Sequence, residues 1–150
     1  MTIVTDQIND TITFNATGGA GGGFTPSRVT QAVTTTSILN SATDNIEFNN
    51  LGVSYALYGI QTDKAAMVRV YNSDAARTAD AGRVQGADPI EGTGVITEFI
   101  TSAANTFVLT PAVYGWVATG ANTIPVSVKN NSGSTGTVTV TLVGLKLEDA

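Results

Sequence analysis

The six residues Thr137-Val138-Thr139-Val140-Thr141-Leu142 alternate threonine with aliphatic side chains without a break. Successive side chains point to opposite faces of a strand, so this run buries one face and wets the other. The alternation predicts a strand over 137–147, central in its sheet, with Val138, Val140, Leu142, Leu145 and Leu147 in the core. Beyond Leu142 the apolar positions change parity to Val143, Leu145 and Leu147, which calls for a bulge or a switch of sheets at Val143-Gly144.

The same period recurs along the chain. Thr123–Lys129 alternates Ile124, Val126 and Val128 with Pro125, which belongs at an edge or a strand start. Asn130 to Gly136 has turn composition, so this strand and the next are expected to form a hairpin. Leu51, Val53, Tyr55 and Leu57 alternate, and Ala66, Val68 and Val70 oppose Met67, Arg69 and Tyr71. Thr93–Thr101 and Asn105–Thr110, split by Ser102-Ala103-Ala104, read as a second hairpin, bringing Ile96 and Phe107 to the core. One short helix is expected over Ser73–Ala81, capped by Ser73. Several short strands with turns between them predict an all-β fold, an antiparallel β-sandwich of jelly-roll type, over residues 49–150.

Residues 1–48 break this rhythm with the glycine run Gly18-Gly19-Ala20-Gly21-Gly22-Gly23. Glycine loses the most backbone freedom on ordering, so the run reads as a hinge. Residues 1–48 are therefore expected to be an extended N-terminal arm. Its apolar residues Ile12, Phe14, Phe24, Val29, Val33, Ile38 and Leu39 would contact neighbouring subunits. The alternative, that these segments add strands to the core, stays open.

The chain offers little chemistry. It has no His and no Cys, which removes imidazole and thiolate catalysis and the metal sites built on them. Asp74, Asp80 and Asp88 share a loop-rich stretch with Arg77 and Arg83, and lack the spacing of a calcium loop. Ion pairs that pin a long loop are the expectation there, with no metal and no cofactor. The net charge of −5 and seven scattered cations argue against a nucleic-acid partner. No apolar run reaches the length of a membrane span. Only 13% of residues are charged, and interface centres are depleted in charge. Tyr114 and Trp116 are candidates for an interface anchor or a glycan platform.

From Ala65 onward the order of motifs resembles small virion structural proteins of tailed bacteriophages. The residues concerned are Val68 to Arg83, Gly86-Ala87-Asp88-Pro89, Gly94 to Glu98, Leu109 to Gly115, Val126 to Asn130 and Thr137 to Thr141. The resemblance covers roughly the last 85 residues and carries no catalytic motif. It implies a non-enzymatic β-sandwich added to a particle. Such a chain would be made in the host cytoplasm and would sit on the virion's capsid surface as a decoration (cement) protein, bound to the major capsid protein and to itself as a trimer. The alternative it implies is a subunit of the tail, fibre or adsorption apparatus with a glycan-binding role.

Overall fold

The computed structural model describes the backbone of residues 2–6 and 11–15 and, with side chains, residues 25–149. Strands β1 (Thr2–Asp6) and β2 (Thr11–Asn15) pair with each other, Ile3 opposite Phe14. Eight further strands build a sandwich: β3 (Ser27–Thr34), β4 (Thr43–Phe48), β5 (Ser54–Thr62), β6 (Ala66–Tyr71), β7 (Val95–Ile100), β8 (Asn105–Trp116), β9 (Ile124–Asn130) and β10 (Thr139–Glu148). One sheet has the order β3-β10-β5-β8 and the other β4-β9-β6-β7, every pairing antiparallel. The order is nested. The first strand of the eight pairs with the last, the second with the seventh, the third with the sixth and the fourth with the fifth.

The alternating residues supply the core. Val138, Val140 and Leu142 are fully buried and meet Val68, Val70, Val126 and Val128 from the facing sheet, with Phe48, Leu51, Tyr55, Leu57 and Ile124 beside them. Each large side chain taken from water contributes about 1.5–3 kcal/mol. Strand β10 is internal, as expected. Ile96 and Phe107 pack against the core while remaining partly exposed. The register shifts at Val143/Gly144, but the extra residue lies in the partner strand: Val143 pairs with Gly59 and Gly144 with Leu57, leaving Tyr58 over. Alternation in β10 therefore runs on through this point. Leu145 and Leu147, expected in the core, are only half-buried, with Leu145 opposite Arg28 and Ala56.

Three expectations are corrected. Residues 27–48 are no arm: β3 pairs along β10 from Thr34↔Thr139 to Ser27↔Lys146, and β4 pairs along β9. Val29 and Val33 face the shared core instead of neighbouring subunits. Strands β9 and β10 form no hairpin, because they lie in different sheets, and the same holds for β7 and β8. A turn-like segment can close a hairpin or carry the chain from one sheet to the other, and inward alternation is identical in both cases. Pro125 does sit at a strand start, opposite Glu47 and outside the β6–β9 register, where its missing N–H costs no bond to β6.

Candidate functional site

Strand β6 is buried on both faces. Its inner residues enter the core, and its outer residues Met67, Arg69 and Tyr71 lie beneath a cover built from the next twenty residues. That cover begins with helix α1 (Asp74–Ala79), where the Ser73 hydroxyl accepts from the Ala76 amide at 3.2 Å, as the capping reading expects. Short as it is, α1 packs, with Ala76 only 7% exposed. Asp80 ends the helix, and the chain then loops to Gly94 before entering β7. Gly94 has φ +79°, and a Cβ there would collide with the Asn72 side chain, while the Asn72 backbone N–H donates to the Gly94 carbonyl.

Five polar side chains lock this cover to the sheet. Arg83 donates to both oxygens of Asp80, Nε to Oδ1 at 2.7 Å and Nη2 to Oδ2 at 3.0 Å. The Tyr71 hydroxyl donates to Asp80 Oδ2 at 2.9 Å. Arg69 Nε donates to Glu98 Oε2 at 2.5 Å across the β6–β7 pair, and Arg83 Nη1 lies 3.0 Å from the same oxygen. Further guanidinium hydrogens take loop carbonyls: Arg69 Nη1 and Nη2 reach Arg83 and Val84, and Arg83 Nη1 reaches Ala87 at 2.7 Å. The side chains of Arg69, Asp80 and Arg83 are 4%, 4% and 8% exposed, so this lattice is buried. Burial alone would raise the Asp80 carboxyl. Hydrogen bonds from Arg83 and Tyr71, with the charges of Arg83 and Arg69, hold it below its ordinary range. Arg83 is raised in turn, chiefly by its bond to Asp80.

A cleft of about 460 Å³ runs under the cover, lined among others by Arg69, Tyr71, Arg77, Arg83, Ser127 and Lys129. Its arginines are committed to the protein. Arg77 donates to the Ile46 carbonyl and to Asp74 at 2.6 Å, with Glu47 at 3.7 Å. Guanidinium groups occupy the positions around Asp80 that a cation would need. The lattice therefore fixes a loop in place, which is the chemistry its residues provide.

Of the residues expected here, the fold brings Asp80 to Arg83 and Asp74 to Arg77. Asp88 is exposed and makes no ion pair among the described residues. Arg69 and Glu98 escaped the sequence reading. Their signal is a charge at the outward position of an otherwise apolar strand, but matching the two requires knowing that β6 pairs with β7.

The clamped loop carries Val84 and Ile90 at its surface, 70% and 77% exposed. On the opposite sheet, edge strand β8 presents Val108, Tyr114 and Trp116, 80%, 70% and 53% exposed. Of the residues expected to contact other subunits, Leu39 is 67% exposed, and Ile38 bridges to Gly136 within the chain. The side chains of Ile12, Phe14 and Phe24 lie outside the described residues. Among the described residues no helix is long and apolar enough to cross a membrane. No protein-family model matches the chain, and no curated protein matches it.

Proposed function

We propose that this protein is a non-enzymatic structural subunit of a tailed-bacteriophage particle. In this reading it is a capsid decoration (cement) protein that binds the major capsid protein and its own copies, as a trimer, on the shell surface. The observation that carries the reading is the pair Val84 and Ile90, apolar side chains exposed on one loop whose carbonyls at Arg83, Val84 and Ala87 are held by a buried ion lattice. Apolar tips on a preordered loop lose little entropy on docking, which suits them to seat in a protein groove. We read the nested strand order as a jelly roll, an architecture shared by viral capsid and lectin domains. The segments that resemble phage virion proteins, Val68 to Arg83 and Gly94 to Glu98, include every acid and base of the lattice.

The mechanism is mass action. A protein that binds the assembled shell and not its separated parts stabilises the shell by its binding free energy. The exposed Tyr114 and Trp116 favour the alternative, a tail or adsorption subunit that meets a glycan. Copy number in purified particles separates the two. Stoichiometry comparable to the shell protein supports cement, a few copies per particle supports the tail, and absence from particles refutes both.

A further inference from the structure

On the outer face of the β3-β10-β5-β8 sheet, two rows of side chains cross beside each other. One runs Trp116–Ser54–Glu148 and the next Tyr114–Ala56–Leu145–Arg28. Trp116 and Tyr114 are two residues apart on one face of β8, so their Cα atoms stand about 7 Å apart along the strand. Between them Gly115 turns inward onto the Tyr55 ring, which leaves no room for a Cβ and keeps the flanking pair facing out. The Ser54 hydroxyl donates to Glu148 Oε2 at 2.7 Å, leaving the second carboxylate oxygen free to accept. Arg28 lies at the far end of the second row, its guanidinium carbon 5.9 Å from the centre of the Tyr58 ring.

We propose that the Tyr114–Trp116 face is a binding site for a neutral saccharide. A pyranose ring needs two surfaces at once: an electron-rich aromatic face for its C–H bonds, and acceptors and donors at the edge for its hydroxyls. Tyr114 and Trp116 supply the first, and Glu148 with Ser54 supplies the second in the same row as Trp116. Charge selects among ligands. The chain carries −5, and a carboxylate borders the platform, so a polyanion such as nucleic acid or an acidic glycan is repelled. The site stands on these residues alone, whatever particle position the protein takes.

Trp116 is the only tryptophan, so the purified full-length chain reports directly on this face. We would titrate it with cellotetraose, maltotetraose and chitotetraose, with polygalacturonate as the acidic comparison. At least one neutral oligosaccharide should shift Trp116 emission to the blue and saturate with a Kd on the order of 1 mM. Tyr114→Ala should weaken that binding about tenfold with an unchanged melting temperature, since the ring contributes to stacking and little to the fold. Calorimetry on Trp116→Ala should show the same loss without relying on the fluorophore. Three results overturn the proposal: no emission change with any neutral oligosaccharide up to about 10 mM, tighter binding of polygalacturonate, or a blue shift that follows protein concentration without sugar while sedimentation shows dimers. The last would make the face a contact between copies.

Discussion

Arg69 and Glu98 face each other across the β6–β7 pair, Nε to Oε2 at 2.5 Å, and the same arginine holds the carbonyls of Arg83 and Val84. One side chain thus ties a strand edge to the loop above it. Removing a partner from such a lattice leaves a buried charge uncompensated. Asp80→Ala should therefore cost about 3–5 kcal/mol, read from denaturant unfolding. Asp88→Ala, at an exposed residue of the same loop, should stay within about 0.5 kcal/mol. Equal costs for the two would show that the lattice does not clamp the loop.

The lattice also sets an acid limit. The folded Asp80 carboxyl lies below its ordinary value of 3.8, so the unfolded chain takes up the proton first as pH falls. Its contribution is complete above the unfolded value and is lost as the pH drops through the folded one. Thermal melts below about pH 4 should show this loss, and Asp80→Asn should flatten the slope there. Asp44 is lowered too: burial alone would raise it, but hydrogen bonds from Thr36 and Asn45 hold it down. Some slope should therefore remain in that variant.

Truncation tests the corrected boundary. Every sandwich strand begins at or after Ser27, so a chain starting at Thr25 should fold with the same β spectrum. A chain starting at Ile46 lacks all of β3 and half of β4, which strips one edge of β10 and half of the β4 pairing along β9. It should be unfolded or aggregated, since bare sheet edges invite pairing with other chains. A soluble, cooperative fold from that shorter chain would return these residues to an arm.

Much of the fold was legible residue by residue. The threonine–valine alternation of β10, the Ser73 cap and the strand start at Pro125 are local, and local patterns survive folding. The irregularity at Val143/Gly144 was expected as a change of parity in β10, whereas the extra residue lies in the partner strand β5. What failed was pairing. Ser102-Ala103-Ala104 and Asn130–Gly136 have turn composition, yet both carry the chain between sheets, and nothing within either segment separates the two outcomes. The glycine run drew the arm's boundary too far along, although Val29, Gln31 and Val33 hold the alternation of a strand with one inward face. The candidate site was half visible. Asp80 and Arg83 are three residues apart, whereas Arg69 and Glu98 are joined only by the register of β6 and β7.

Core packing gives a prediction of a different kind. Val140 is fully buried between Val33 and Thr62 of the flanking strands, so Val140→Asp would bury an unpaired charge and should abolish folding, seen as loss of the cooperative melt. Gly115→Ala pushes a methyl group into the Tyr55 ring and should cost about 1–3 kcal/mol. A neutral Gly115→Ala would mean that the ring moves aside freely.

The claim that the clamped loop docks the protein onto a particle is tested most directly by co-sedimentation. Purified chain, wild type and the Val84→Asp/Ile90→Asp double variant, would be mixed with phage particles stripped of it. Both side chains are exposed, so the double variant should melt like the wild type. The wild type should bind saturably and stoichiometrically, and the double variant should lose at least about a hundredfold in affinity, as expected when charges replace two interface anchors. Full-strength binding by the variant, or no binding by the wild type, would contradict the claim.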